Sequence, residues 1–143
     1  MFDYIFGKGV SMALPKSGMK PVYSRKSGRI KQILLGDRLF ATVKTSGTIA
    51  LTVYGASHLV RNRTFLRNCV SINDDAVEFV KSGKSVFCKF VESAGKDVLP
   101  RSEVAVLDHG GVVIGVGRAV IAGKFMKQFN SGVAVKVREG SGS

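Results

Sequence analysis

The stretch Val80–Phe90, VKSGKSVFCKF, contains Gly83-Lys84-Ser85, which are the last three letters of a nucleotide-binding P-loop. A P-loop needs a second glycine five residues before the Gly-Lys pair, so that backbone N–H groups can surround the phosphates, but Glu78 occupies this position. A P-loop also leads from a strand into a helix. Here the order is reversed, because a helix-like segment precedes Gly83 and a β-like segment follows it. The stretch therefore predicts a helix–glycine–strand connection and not an ATP or GTP site.

The flanking residues define both elements of this connection. Asn73 or Asp74 can cap a short helix that runs to Ser82, and acidic residues fill its first turn. Gly83 then ends the helix in a left-handed conformation and leaves Lys84 exposed on the turn. The run from Val86 to Val91 predicts the following strand.

Charge gives the strongest indication of function. The chain of 143 residues has a net charge of +12 and a pI of about 10.1. Residues 1–71 carry twelve basic and two acidic side chains, whereas residues 72–143 carry ten basic and eight acidic ones. Such an excess on a small protein favours a polyanionic partner, usually nucleic acid. Simple solubility and an anionic membrane surface are the alternatives.

Composition excludes several other classes of protein. No apolar run approaches the roughly 20 residues that span a bilayer, so we expect no membrane association. Cys69 and Cys88 are 19 positions apart without a CxxC motif, which argues against a disulfide framework and a structural zinc site. Two ordinary thiols are typical of a reducing, cytoplasmic environment. We expect no metal and no cofactor.

The N-terminal half begins with an irregular basic segment. Glycines and prolines interrupt residues 1–27, which we interpret as an arm or an edge segment. Residues 29–35 and 38–44 then predict a β-hairpin around Gly36-Asp37, and residues 48–54 predict a further strand. Residues 55–60 are consistent with a helical turn.

The C-terminal half is a series of short elements. Predicted strands cover residues 69–72, 86–91, 103–107, 112–122 and 133–138, with a polar loop over 92–100 and a hairpin turn at 108–111. Gly115 and Gly117 indicate a bulge or a close backbone approach. A short helix over 123–130 places Phe125, Met126 and Phe129 at helical spacing, which favours a core position. Many short strands with little helix predict a small β-barrel or an open sheet.

This order of elements resembles a PUA domain, a pseudo-barrel that binds structured RNA. The resemblance covers about residues 69–140 and rests on FVKSGKSVFCKFV (79–91), EVAVLDHGGVVIGVGRAVIAG (103–123) and FNSGVAVKVREG (129–140). The nearest likeness is to the C-terminal part of archaeosine tRNA-guanine transglycosylases, and residues 28–60 are similar to the small domain before their PUA domain. We therefore predict an α+β chain with three parts. They are a basic arm with a small α/β domain (1–67), a PUA-type pseudo-barrel with short helices (68–140) and a flexible tail (141–143).

The resemblance implies an archaeal-type protein that binds RNA without catalysing a reaction. No segment corresponds to the large transglycosylase barrel with its catalytic aspartates and zinc ligands, so we expect no catalytic residues. The implied partner is tRNA, bound at its acceptor-stem end, together with a catalytic protein subunit for which this chain serves as a separate subunit or accessory. A ribosome-biogenesis or translation factor that binds rRNA or a ribosomal subunit is the alternative. His58 and His109 are more simply explained as turn residues.

The candidate RNA-binding residues are Gly83, Lys84, Ser85, Phe87, Lys89, Arg118, Lys124, Lys136 and Arg138. Within the family, the turn after the first helix lies close to RNA. Gly83 would admit a phosphate, while Lys84 supplies charge and Ser85 a hydroxyl donor. Phe87 and Lys89 project together if residues 86–91 form one strand, and Phe87 then either stacks a base or belongs to the core. Lys136 and Arg138 are expected to face solvent near the same site, and Arg118 either approaches RNA or holds the fold.

A secondary basic surface is predicted in the N-terminal half. Its members are Arg25, Lys26, Arg29, Lys31, Arg61, Arg63 and Arg67. A broad basic surface suits double-helical RNA, which proteins recognise by shape and backbone. The alternative is a solvated surface or a contact with an acidic partner subunit.

Overall fold

In a computed structural model, which describes residues 1–142, ten strands form two sheets and five α-helices pack around them. The strands are β1 Met19–Tyr23, β2 Ile30–Leu35, β3 Arg38–Val43, β4 Ile49–Leu51, β5 Cys69–Ile72, β6 Val86–Phe87, β7 Val91–Ala94, β8 Glu103–Leu107, β9 Val113–Ala119 and β10 Val133–Gly140. The helices are α1 Phe2–Phe6, α2 Val53–Leu59, α3 Arg63–Leu66, α4 Asp74–Lys81 and α5 Gly123–Met126.

The two sheets confirm the predicted α+β class. β1 to β4 form a four-stranded antiparallel sheet in chain order. The other six strands are ordered β6-β10-β9-β8-β5-β7, and only the β5–β8 pair is parallel. This sheet curls into a nearly closed pseudo-barrel with β6 and β7 at its edges. The predicted hairpin of β2 and β3 is present, and so are β5, β8 and α4 at the predicted positions.

Two apolar cores stabilise the fold. The first packs α1, Val10, Phe40 and Phe65 against the outer face of the barrel, which contributes Leu107 and Val116. The second fills the barrel with β-branched residues of β5, β6 and β9 together with Met126. The first core therefore joins the N-terminal sheet to the barrel. A division into separate domains at residue 67 stays a prediction.

Hydrogen bonds and an ion pair also join the N-terminal sheet to the barrel. The backbone N–H of Leu51 donates to Glu103 Oε2 at 2.7 Å, and the N–H of Val53 donates to Glu139 Oε1 at 2.7 Å. Arg138 binds the Glu103 carboxylate and donates to the carbonyl oxygen of Leu51 at 2.6 Å. We call this group of five residues the junction. It fixes the end of β4 and the start of α2 on strands β8 and β10.

The first 27 residues are not irregular, contrary to the sequence-based expectation. Phe2, Phe6 and Val10 are buried, because the helix α1 and a 3-10 helix over Val10–Ala13 turn their apolar side chains into the first core. Glycines at the ends of these short helices conceal the pattern in the sequence. β1 pairs with β2 and forms one edge of the sheet, so the interpretation as an edge segment holds for this part.

Three predicted elements are shorter than expected. β4 ends at Leu51, because Thr52 caps the helix α2 by accepting from the N–H of Gly55 at 2.9 Å. The predicted strand 86–91 is interrupted by a 3-10 helix over Cys88–Phe90, after which β7 begins. The helix α5 covers only Gly123–Met126, so Met126 alone of its three predicted core residues is buried.

The close approach predicted at the barrel glycines is present at Gly117. A Cβ atom there would overlap the carbonyl oxygen of Lys136 on the neighbouring strand. The end of the chain also departs from expectation. Ser141 and Gly142, expected in a flexible tail, donate backbone hydrogen bonds to the carbonyl oxygens of Ile114 and Lys81, each at 2.9 Å. Ser143 lies outside the described residues.

Candidate nucleic-acid interface

The turn that connects α4 to β6 has the geometry that its glycine predicts. Gly83 has a φ of 94°, and its N–H donates to the carbonyl oxygen of Val80 at 2.9 Å. The N–H of Lys84 donates to the carbonyl oxygen of Phe79 at 3.0 Å, which completes a Schellman motif. Nothing lies within 4 Å of the position that a Cβ of Gly83 would occupy. The backbone of the turn is therefore open to a ligand.

Beside this turn lies an apolar depression of about 560 Å³, which we call the aromatic pocket. Its wall is formed by Ala76, Phe79, Lys84, Ser85, Phe87, Lys89, Phe90, Asn130, Ser131 and Gly132. Phe79 and Phe87 remain 53% and 46% exposed, and because both line the depression they form one contiguous exposed apolar surface, the kind that marks interaction sites. Four predicted site residues, Lys84, Ser85, Phe87 and Lys89, thus meet at one place.

Lysine ammonium groups lie beside the rings of this pocket. Lys84 Nζ is 5.6 Å from the ring centroid of Phe79, and Lys89 Nζ is 5.0 Å from that of Phe90. Both separations are within the range of a cation–π contact. Phe87 at the end of β6 and Lys89 in the 3-10 helix are both exposed, so of the two alternatives for Phe87 the core position does not hold. Aromatic faces bordered by ammonium groups can stack a base and neutralise its phosphate.

Arg118 and Lys136 form a second exposed pair of cations. They are direct partners across β9 and β10, so their side chains share the outer face of the barrel. Lys124 is exposed on α5, 5.0 Å from the ring centroid of Phe125, and does not line the aromatic pocket. A role for these three cations in RNA binding stays a prediction.

Arg138 does not have the free position that the alternation of β10 suggested. Its guanidinium binds Glu103, whose side chain is only 7% exposed, and its own side chain is 35% exposed. Burial raises the pKa of the Glu103 carboxyl, and the hydrogen bond and positive charge of Arg138 partly offset this effect. Because its donors are used inside the protein, we assign Arg138 to the junction and not to the RNA-contacting set.

The secondary basic surface is exposed along its whole predicted length. Arg25, Lys26, Arg29 and Lys31 belong to the β1–β2 hairpin, whereas Arg61 and Arg63 lie around the start of α3. Arg67 differs from the others, because its Nε lies 3.0 Å from Asp97 Oδ2. Its charge is therefore partly balanced within the protein.

Six of the ten residues that line the aromatic pocket were not predicted as site residues from the sequence. Phe79 and Phe90 supply rings, and Ala76, Asn130, Ser131 and Gly132 complete the lining. Phe79 lies one residue before the buried Val80, so the helical pattern gives it no separate signal. The 130–132 segment is far away in sequence, and the pairing of β10 with β6 and a hydrogen bond of 2.9 Å from the N–H of Cys88 to the carbonyl oxygen of Gly132 bring it to the turn.

The histidines and cysteines, whose side chains could take part in catalysis, contact other protein groups or are buried. His58 Nδ1 lies 2.9 Å from the carbonyl oxygen of Tyr54 within α2, and His109 Nδ1 lies 3.5 Å from Glu92 Oε2 on the surface. Cys69 and Cys88 are free and buried, and burial raises the pKa of the Cys69 thiol to about 12. No helix in the described part of the chain is long and apolar enough to cross a membrane.

Family models match both halves of the chain. The PUA domain model matches residues 68–140, which comprise the barrel with the aromatic pocket. Residues 1–65 match the patch-forming domain C2 of tRNA-guanine transglycosylase. The chain belongs to the PUA-domain family, as its sequence predicts, and it resembles the C-terminal part of tRNA-guanine transglycosylases.

Curated relatives make this resemblance more specific. The tRNA-guanine(15) transglycosylase of Thermoplasma volcanium is 32% identical over 139 residues, which cover 96% of this chain and 22% of that enzyme. The enzyme of Thermococcus onnurineus is 34% identical over 139 residues, which cover 96% of this chain and 24% of the enzyme. The chain thus spans about a quarter or less of these archaeal relatives. Homology associates it with RNA binding and tRNA modification.

A solved structure shows the same fold over nearly the whole chain. The protein PH0734.1 of Pyrococcus horikoshii superposes with a TM-score of 0.77 at 23% identity. The match covers 99% of this chain and 86% of the other. At this identity the likeness extends to the fold alone.

Proposed function

We propose that this chain binds tRNA at its acceptor-stem end, without catalysing a reaction, as a separate subunit or accessory of a tRNA-guanine transglycosylase. The observation that carries the proposal is the aromatic pocket beside the Gly83 turn of a PUA domain. Curated relatives of this domain are tRNA-guanine(15) transglycosylases. A catalytic chain would modify the tRNA that this chain holds.

The chemistry of the aromatic pocket suits an unpaired base at the end of a strand. Phe79 and Phe87 are each about half exposed, so a base can cover them without displacing the core of the barrel. Base–aromatic stacking contributes about 1–3 kcal/mol per base and tolerates different bases. Lys84 and Lys89 can neutralise the adjacent phosphates, and Ser85 can donate a hydroxyl hydrogen bond. The open backbone at Gly83 lets a phosphate approach the turn.

The outer face of the barrel can continue the contact along a double-helical stem. Lys136 and Arg118 are exposed there, and the secondary basic surface adds further cations. Contacts with phosphates give affinity and salt dependence without reading sequence. Recognition would then depend on the shape of the tRNA and on the unpaired base at the end of its acceptor stem.

Binding titrations test the RNA class and the site together. Wild-type protein and the variants Lys84→Glu and Lys136→Glu are titrated with unfractionated tRNA and with rRNA fragments at several salt concentrations. Lys16→Glu, which reverses an exposed lysine outside the aromatic pocket, is the matched control. We expect preferential tRNA binding that both site variants weaken more than the control does. Preferential rRNA binding would instead support a ribosome-associated function, and equal losses for all three variants would contradict the assigned site.

The subunit role requires a second experiment. The chain is mixed with a transglycosylase catalytic chain from the same organism, and base exchange into tRNA is followed for each chain alone and for the mixture. We expect exchange to increase in the mixture and this chain alone to be inactive. Base exchange by the isolated chain would contradict the non-catalytic role.

A further inference from the structure

A cleft lies between the N-terminal sheet and the barrel, away from the aromatic pocket. It encloses about 490 Å³ and is bordered by α1, the β3–β4 turn, the segment before β8, and β9. The cations at its wall are Lys44, Lys96, Arg101 and Arg118, and we call it the basic cleft. Tyr4, which is 94% exposed, also lines it.

The carboxylates of the basic cleft are already paired with arginines that do not line it. Asp97 binds Arg67, and Glu103 binds Arg138. Within residues 1–142, no carboxylate lies within 4.0 Å of the charged nitrogens of Lys44, Lys96, Arg101 or Arg118. Four exposed cations therefore share one concave surface without a carboxylate in ion-pair contact, and only the charge of Lys44 acts on a carboxylate of the cleft, that of Glu103. An anion that entered the cleft would relieve their mutual repulsion.

The backbone at Arg101 is a second, independent observation. Arg101 has a φ of 72° and is the only non-glycine residue with a positive φ among residues 1–142. It follows Pro100 in a turn closed by a hydrogen bond of 2.9 Å from the N–H of Ser102 to the carbonyl oxygen of Leu99. Glycine or asparagine normally occupies this third position of a turn. An arginine there costs backbone strain, which residues at functional sites commonly retain.

The strained turn is fixed to the strand that carries the other arginine of the basic cleft. The N–H of Arg101 donates to the carbonyl oxygen of Ala119 at 2.8 Å, and the N–H of Ala119 donates to the carbonyl oxygen of Ser102 at 2.9 Å. Arg118 Nε in turn donates to the carbonyl oxygen of Arg101 at 3.5 Å. These bonds hold Arg101 and Arg118 on one wall before any ligand arrives.

We infer that the basic cleft is a second RNA-binding site, which holds phosphate groups of the RNA backbone with Lys44, Lys96, Arg101 and Arg118. Guanidinium groups bind phosphate oxygens in a bidentate geometry, and lysines add point charges. The exposed ring of Tyr4 at the rim offers a stacking face to an unpaired base, which an acidic protein segment would not need. The inference rests on the proposed function, because it assumes that RNA is the partner.

The position of the basic cleft agrees with a single RNA that reaches both sites. Arg118 pairs with Lys136 across β9 and β10, and the same strand β10 pairs with Phe87 of the aromatic pocket through Val133. The distance from Val133 to Lys136 along the strand is about 10 Å at the usual rise per residue. Lys136 thus lies between the two sites.

The variant Arg101→Gly separates binding from folding, because glycine relieves the strained φ while it removes the charge. We expect its Tm to equal or exceed that of the wild type. Its affinity for tRNA at low salt should fall about threefold to tenfold. The plot of log K against log salt should become less steep, with the magnitude of its slope smaller by roughly 0.7 to 0.9. Lys96→Ala should have a similar effect on the slope, whereas the control Lys16→Ala, at a position outside the basic cleft, should not.

The outcomes distinguish this inference from the proposed function. If Lys84→Glu weakens tRNA binding but the double variant Arg101→Gly/Lys96→Ala does not, the inference about the basic cleft is overturned and the proposed function stands. If the wild type binds no RNA, both fail. A competition assay with polyglutamate separates the two kinds of anionic partner. If polyglutamate displaces tRNA from the wild type as strongly as RNA of equal charge does, and this competition is lost in the double variant, the basic cleft binds an acidic protein and the inference is overturned.

Discussion

The aromatic pocket and the junction lie near opposite ends of β10, yet they use their charged residues in opposite ways. At the junction, Arg138 is paired with the buried Glu103 and with a backbone carbonyl. At the aromatic pocket, Lys84 and Lys89 have rings beside them, and no carboxylate of residues 1–142 lies within 4.0 Å of their ammonium groups. In the sequence, both kinds of cation contribute equally to the net positive charge and cannot be told apart. The partners of each cation decide whether it stabilises the fold or is available to a ligand.

The largest expected effect follows from removing the charge pair of the junction. Arg138→Ala leaves the Glu103 carboxylate buried without its partner, which should lower the free energy of unfolding by about 2–4 kcal/mol. The value is below that of a fully buried pair because part of Arg138 reaches solvent. Urea denaturation measures the change. Lys136→Ala, two residues earlier on the same face, is the control and should change stability little; equal stability losses for the two variants would contradict this account of the junction.

A variant of the aromatic pocket should change RNA binding and not stability. Phe87→Ala should weaken tRNA binding by about 1–3 kcal/mol, the contribution of one stacked base, while stability changes little because the ring is about half exposed. Fluorescence anisotropy with labelled tRNA measures the affinity. Phe125→Ala removes a comparably exposed ring beside Lys124 outside the pocket and should have little effect. If both variants bind tRNA like the wild type, the pocket is not the stacking site.

A smaller effect is expected at the turn beside the pocket. Gly83→Ala forces a Cβ into a left-handed backbone conformation and should cost about 1–2 kcal/mol of stability. Gly83→Asn should cost less, since asparagine tolerates this conformation. If a phosphate approaches the open backbone at Gly83, both variants weaken RNA binding, whereas a glycine that only ends the helix would change stability alone. Thermal denaturation and RNA titration of the two variants measure these quantities.

The smallest expected effect concerns the pH dependence of the junction. Because burial raises the pKa of Glu103, its contribution to stability is present at low pH and is lost as pH rises through the folded-state pKa. The free energy of unfolding of the wild type, relative to Glu103→Gln, should therefore fall as pH rises through the folded-state pKa of Glu103, by less than the changes expected for the variants above. Denaturation curves at several pH values test this. A wild type that gains stability over Glu103→Gln as pH rises would show that Arg138 outweighs burial.

Local signals in the sequence were sufficient for much of the barrel and for the turn beside the candidate site. The caps of α4, the glycine turn and the short β-type runs each act over a few residues, so the sequence alone indicates the left-handed glycine that ends α4 and the exposed Lys84. The 3-10 helix over Cys88–Phe90 was missed because its residues continue the alternation of a strand. Phe87 and Lys89 nevertheless line the pocket, and their contact with RNA stays a prediction.

Contacts between distant segments could not be predicted in the same way. Arg138 alternates with valines on β10 and so looks like a solvent-facing residue, but its partner Glu103 is 35 residues away. Phe2 and Phe6 lie in a segment broken by glycines, although they complete the first core. Asn130 and Gly132 reach the aromatic pocket through the pairing of β10 with β6. Each of these positions depends on contacts between distant segments and not on its own neighbours in the sequence.

The most direct test of the central claim is amide chemical-shift mapping of the ¹⁵N-labelled protein during titration with a short RNA that has an unpaired 3′ end. The account predicts the largest shift changes at Gly83, Lys84, Phe87 and Gly132, with little change at Leu51 and Val53 of the junction. Shift changes confined to Arg25, Lys26, Arg29 and Lys31, with the aromatic pocket unaffected, would contradict it.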